Sequence, residues 1–177
     1  MTNILCLAGS LRAASSSRAV VATIRDRLEG TVETTGFEIG ALPHYNADLD
    51  PPPSIVVELK AAIDRADGLV IVTPEYNYSV PGVLKNAIDW ASRPGYASVF
   101  KDKPIFIASV SGGALGGVRA QAHLKNILGG VLANTFVWQE VVVTHASTKV
   151  KDGRLADEPT ETFLFEALNA FIKALES

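Results

Sequence analysis

The sequence predicts a doubly wound α/β domain built on a parallel sheet, and two observations carry that prediction. Apolar runs rich in β-branched residues, at Ile4 to Ala8, Gly68 to Val72 and Pro104 to Val110, read as strands covered on both faces. Between and after them lie segments with apolar residues at helical spacing, long enough to be the crossovers that parallel neighbours require. Right-handed crossovers then place helices on both faces of the sheet. With 177 residues, 47% of them hydrophobic, and a mean hydropathy of +0.20, the chain supplies a sizeable core, and one domain over residues 1–177 is the expectation.

Taken in order, the first strand at Ile4 to Ala8 leads through a serine-rich loop into a helix with Val20, Val21, Ile24 and Leu28 on one face. Thr31 to Ile39 has moderate β character, and the proline-rich stretch Gly40 to Pro53 is a connection that cannot be regular throughout. Ser54 starts a second helix marked by Ile55, Leu59, Ala62, Ile63 and Ala66, which returns the chain to the Gly68 strand. Pro81, as a first helical residue after Ser79, launches a helix carrying Val83, Leu84, Ala87, Ile88 and Ala91. After the fourth strand comes a helix with Ala120, Leu124, Ile127, Leu128 and Val131, then a fifth strand through Phe136 to Thr144. A polar excursion from His145 to Pro159 precedes a last helix bearing Leu164, Leu168, Phe171, Ile172 and Leu175.

Five strands alternating with five helical patterns in a chain of this length favour the flavodoxin-like version of the fold, a five-stranded parallel sheet of order 2-1-3-4-5 with helices on both faces. In that order the switch point lies between strands 1 and 3, with strand 4 next in line. The loops after those three strands therefore gather at one carboxyl edge, where such sheets place ligands.

Each of these loops is chemically unusual. Gly9 to Arg18 (GSLRAASSSR) puts three serines at a helix start, where hydroxyls, free N–H groups and the helix dipole favour an anion. Arg12 and Arg18 add positive charge, so the parts are those of a phosphate monoester pocket; the alternative is a serine-capped helix with two solvated arginines. The loop is neither a Walker loop nor a G-x-G-x-x-G fingerprint. Pro74, Glu75, Tyr76, Asn77 and Tyr78 are poor strand material and suit either a ligand-facing loop or a well-capped βα connection. Ser111-Gly-Gly-Ala-Leu-Gly-Gly117 offers four glycines that let backbone approach a flat ligand. A ligand with a phosphate at one end and a planar heterocycle at the other suits all three, and FMN has that shape.

Composition narrows the partners. A formal charge of −3 and a pI near 5.6 give no general attraction to nucleic acid or anionic membranes. The single cysteine, Cys6, excludes an intrachain disulfide, and the apolar N-terminal run is too short for a signal peptide or a bilayer span. A cytoplasmic location is the expectation. His44, His123 and His145 lack metal-ligand spacing, so no metal site is expected.

The strings GSLRAASSSRA, TPEYNYSVPGVLKNAIDWASRP and SVSGGALGG strongly resemble the NADPH-dependent FMN reductase family, which includes chromate- and quinone-reducing enzymes; the resemblance covers roughly Ile4 to Glu140. It implies that Ser10, Arg12, Ser15 and Ser17 hold the FMN phosphate. It further implies that Pro74, Glu75, Tyr76 and Asn77 contact the isoalloxazine largely through backbone, and that Ser111, Gly112 and Gly113 lie along the ring edge. Many relatives have asparagine where this chain has Ser17, and the hydroxyl keeps the donor with a shorter reach. The implied reaction is hydride transfer from NADPH or NADH to FMN, then to an acceptor such as a quinone, flavin, azo compound or chromate. The cofactor carries that chemistry, and no catalytic acid or base is evident. Glu75, in its tight loop, reads as a hydrogen-bonding or subunit-contact residue before an acid, and Tyr76 as packing beside the flavin or in the core. The resemblance also implies a homodimer or homotetramer, in which Arg119 and Glu140 could pair across a second interface, against an ordinary reading as solvated surface charges. The rival function is a flavodoxin-type FMN electron carrier that does not oxidise NAD(P)H. Such carriers are typically more acidic than −3.

Overall fold

The computed structural model describes all residues, Met1–Ser177. Its sheet contains β1 (Asn3–Ala8), β2 (Glu33–Gly36), β3 (Gly68–Pro74), β4 (Pro104–Val110), β5 (Asn134–Thr135) and β6 (Val141–Val143), all parallel. The order β2-β1-β3-β4-β5 is the one the sequence pattern predicts, and β6 pairs with β4 in addition.

Strand side chains alternate between two cores, which is why the three central strands read as unbroken apolar runs. Leu5, Leu7, Leu69, Ile71, Ile105 and Ile107 face α2 (Ser54–Arg65), α3 (Gly82–Ala91) and α4 (Val118–Gly130), where they meet Leu59, Ile63, Leu84, Ile88, Leu124 and Leu128. Ile4, Cys6, Val70, Val72, Phe106 and Ala108 face the other way, onto Val20, Ile24, Leu164, Leu168 and Phe171 of α1 (Ser16–Leu28) and α6 (Glu158–Leu175). Helices thus cover both faces. No helix is long and apolar enough to cross a membrane.

Two expectations need correction, the fifth strand and the start of α3, and the polar excursion gains a structure. The fifth strand is not continuous from Phe136 to Thr144. Ile105 lies opposite Thr135 and Ala108 opposite Val141, so β4 advances three residues while its partner advances six. The surplus bulges outward at Phe136 to Glu140, which lets the Phe136 ring pack on Phe171 at 5.4 Å while Val137 stays 90% exposed. Pro81 is the N-cap of α3 and Gly82 its first helical residue, because Pro81 has extended backbone with ψ 142°. The 145–159 excursion is built of α5 (Ala146–Lys149) and a hairpin of β7 (Val150–Lys151) and β8 (Arg154–Leu155), strapped to α1. Leu155 N–H donates to Thr23 Oγ1 (2.9 Å), and Arg154 pairs with Asp26.

Candidate functional site

The loops after β1, β3 and β4 emerge side by side at the carboxyl edge of the sheet, and the chain bonds them to one another. Ser10, Ser15 and Ser17 of the first loop are nearly fully buried. Ser15 is the N-cap of α1, accepting from Arg18 N–H at 3.2 Å, and its hydroxyl lies 3.2 Å from Ser17 Oγ. Ser10 Oγ accepts from Arg12 N–H (3.4 Å). The backbone N–H groups of Leu11, Ala13, Ala14, Ser16 and Ser17 have no partner in the chain. The two arginines part company here: Arg18 donates to the Ser10 carbonyl and pairs with Glu38, whereas the exposed Arg12 side chain has no protein partner. A groove of about 740 Å³ runs from Ala14 and Ser15 along α1 to Arg25 and Phe37, reaching this loop but not the other two.

In the second loop Tyr76 and Ser79 exchange both backbone hydrogen bonds at 3.0 Å around Asn77 and Tyr78, whose φ values are 49° and 68°. Two positive φ values in a two-residue turn are the hairpin geometry that glycine and asparagine favour. The turn holds Tyr76 and Tyr78 out, 50% and 66% exposed. Tyr76 is therefore no core ring, and its hydroxyl bonds to Ser10 Oγ at 3.1 Å. Glu75 turns the other way: its carboxylate accepts from the N–H groups of Arg119 (3.1 Å) and Ala120 (3.4 Å) and pairs with the Arg119 guanidinium. That guanidinium lies 4.2 Å over the Tyr78 ring, and Glu140 pairs with Lys125, so both charges have partners within the chain.

The third loop is anchored at its start. Ser111 N–H donates to Val143 C=O and Ser111 C=O accepts from Ala146 N–H, both at 3.0 Å, while His145 N–H reaches the Gly113 carbonyl at 3.2 Å. Its four glycines serve two purposes, against the expectation that all face a ligand. Gly116 and Gly117 have φ of 58° and 86°, and a Cβ there would lie 2.8 Å from Val142 Cβ and 3.0 Å from Ser109 Cβ, so the fold itself requires them. A Cβ on Gly112 would meet nothing within 4 Å, and one on Gly113 only Ser111 Oγ at 3.7 Å. The space before that pair is open.

A family model for NADPH-dependent FMN reductase matches residues 2–148. The chain belongs to the NADPH-dependent FMN reductase family. Among relatives, it is 39% identical over 166 residues to a 2-hydroxy-1,4-benzoquinone reductase of Burkholderia sp, covering 91% of this chain and 89% of that one. It is 38% identical over 174 residues to a quinone reductase of Escherichia coli (strain K12), covering 95% and 92%. The solved structure of FerB, a flavoenzyme NAD(P)H:(acceptor) oxidoreductase from Paracoccus denitrificans, superposes with a TM-score of 0.89 at 37% identity, covering 99% of this chain and 98% of that one.

A member of the FMN reductase family must offer donors to a phosphate and room to a flat ring. The first loop meets the first need with three buried hydroxyls, free backbone N–H groups and the unpaired Arg12, and the carboxylate that reaches it, Glu38, is paired with Arg18. The second need is met by the open backbone of Gly112 and Gly113. The residues present fit FMN. Cys6 lies under this edge at 2% exposure, and burial, opposed by the charge of Arg25, pushes its thiol up to about 12, so it stays protonated. No cluster of three or more His, Cys, Asp and Glu side chains forms a metal site, and His123 is bonded to Ser79 at 2.9 Å.

Sequence reasoning missed two contributors. The His145–Ala146 turn anchors the third loop although it lies beyond the recognisable motifs, and no local pattern announces it. The Glu75 cap had a signal: α4 begins after Gly-Gly with no Ser, Thr, Asp or Asn to cap it, so its cap must come from elsewhere.

Proposed function

We propose that the protein is an NAD(P)H-dependent FMN reductase that passes electrons to a small-molecule acceptor, a quinone being the class its relatives' names favour. The observation that carries this reading is the loop Ser10 to Ser17, with its unpartnered backbone N–H groups and no carboxylate of its own, on the same sheet edge as the open Gly112–Gly113 backbone. Bound FMN supplies hydride acceptance from the nicotinamide and electron delivery to the acceptor.

The protein's part is binding and orientation. Ser10, Ser15 and Ser17 with Arg12 hold the phosphate, the arginine through a charge-assisted contact. Pro74, Glu75, Tyr76 and Asn77 present backbone to the ring, and Ser111, Gly112 and Gly113 border its edge. Because Gly112 and Gly113 carry no side chain, a nicotinamide and then an acceptor can occupy the same open face in turn. The exposed turn bearing Tyr76 and Tyr78 fits assembly as a homodimer or homotetramer.

The test is NADPH oxidation by the purified protein with 1,4-benzoquinone, with and without added FMN. Turnover that saturates with FMN at one flavin per chain supports the reading. FMN binding without NADPH or NADH oxidation would transfer the protein to the electron-carrier class.

A further inference from the structure

We infer that Glu75 is a positioning residue that ties the second loop to the far end of the third, by capping α4 from outside its own sequence. The inference rests on the flavin reading above and adds a role for a side chain that reading leaves idle.

Gly117 is the N-cap of α4, has φ 86°, and carries no side chain to accept from the first turn. No residue with a Cβ fits there without moving β4, because that atom would lie 3.0 Å from Ser109 Cβ and 3.2 Å from Ser109 Oγ. Ser109 is itself committed, donating to the Gly116 carbonyl (2.7 Å) and accepting from Gln121 Nε2 (3.0 Å), whose amide also reaches the Val141 carbonyl (2.6 Å). Close packing of α4 on β4 thus forbids the ordinary cap, and the first-turn N–H groups need an acceptor.

Glu75 supplies it. One carboxylate oxygen accepts from Arg119 and Ala120 N–H, the second and third residues of α4, and the other from Arg119 Nη1 at 3.2 Å; the side chain is only 13% exposed. A carboxylate here also meets the positive end of the helix dipole. The consequence is spatial. Glu75 lies between Pro74 and Tyr76, while α4 begins where the Ser111–Gly117 loop ends, so this contact links the far end of the third loop to the second. The near end is already fixed by Val143, His145 and Ala146. Glu75 thereby ties the Gly116–Gly117 end of the third loop to Pro74–Tyr76 and closes the frame whose other end carries Gly112 and Gly113.

The test compares Glu75→Ala, Glu75→Gln and Arg119→Ala by titration with FMN and riboflavin, with the visible flavin spectrum of each complex and the split of kcat and KM for NADPH. Glu75→Ala should weaken both flavins by up to about thirtyfold, the most that a lost cap can cost when binding has to restore the loop, and should shift the bound-flavin spectrum and lower kcat. Glu75→Gln keeps an acceptor oxygen and should recover much of the affinity. Arg119→Ala removes the ion pair but not the cap and should have the smallest effect. If Glu75→Ala does not fold, Glu75→Asp, one methylene short, takes its place with the same expectation. Wild-type affinity and spectrum in Glu75→Ala overturn the inference, as do equal losses in Glu75→Ala and Arg119→Ala, which would assign the effect to the ion pair. Failure of the wild-type protein to bind FMN would overturn the flavin reading instead.

Discussion

The hydroxyl of Tyr76 and the hydroxyl of Ser10 lie 3.1 Å apart, so the loops after β1 and β3 are bonded to each other across the topological switch point of the sheet. Ser10 belongs to the proposed phosphate end and Tyr76 to the proposed ring end, and one hydrogen bond fixes their distance. Tyr76→Phe removes that bond and nothing else of comparable size. A hydrogen bond of this kind is worth about 0.5–1.5 kcal/mol, so FMN and riboflavin should both bind about two- to tenfold more weakly. Fluorescence titration of both flavins checks this; an effect confined to FMN would place Tyr76 on the phosphate instead.

Arg12 should behave in the opposite way. Its guanidinium is exposed and unpaired, whereas Arg18 is held by Glu38 and the Ser10 carbonyl. Arg12→Ala should cost FMN about 1.5–3 kcal/mol and leave riboflavin nearly unchanged, since only FMN carries the phosphate. Equal losses for both ligands contradict the assignment.

The glycines of the third loop separate fold from function. Gly113→Val has room within the protein and should fold with wild-type thermal stability while reducing no acceptor. Gly117→Val, at φ 86° and against Ser109, should lose stability by about 2–6 kcal/mol, since it combines strained backbone with overpacking. Thermal melts and steady-state turnover on the two variants resolve this.

Acid stability should depend on Asp157, the N-cap of α6. The Thr160 hydroxyl bonded to its carboxylate, with the Thr160 N–H and the charge of Lys149, holds its pKa below the usual carboxylate value. A carboxylate whose folded pKa is depressed stabilises the fold fully above its unfolded pKa and loses that contribution as pH falls through the folded value. Asp157→Asn should therefore lower Tm at neutral pH and flatten its decline on acidification. An unchanged Tm–pH profile contradicts this.

The fold was legible because it rests on pattern: Ile4 to Ala8, Gly68 to Val72 and Pro104 to Val110 are apolar on both faces, rich in β-branched residues and short, and alternate with helical crossovers, a combination that central parallel strands bear. The break in the fifth strand is invisible in sequence because Phe136, Val137 and Trp138 are β-prone residues; Phe136 N–H still bonds to the Ile105 carbonyl at 2.9 Å while its ring packs on Phe171, and the chain leaves the sheet only after it. The loops that form the site were visible as chemistry. Their internal wiring was not, since the pairings of Glu75 with α4, Tyr76 with Ser10 and His145 with Gly113 join residues 32 or more positions apart, and sequence spacing carries no trace of them. Arg18 illustrates the same limit: its charge was plain, and its commitment to Glu38 depends on where β2 ends.

The central claim is that this sheet edge binds FMN and lets NAD(P)H reduce it. The direct measurement is the visible spectrum of the protein saturated with FMN under anaerobic conditions, followed after addition of NADPH and, separately, NADH. Rapid loss of the flavin band straight to the two-electron reduced form is the predicted result, with the faster nucleotide identifying the donor. A flavin band that persists with both nucleotides, on a protein that holds FMN, would contradict it.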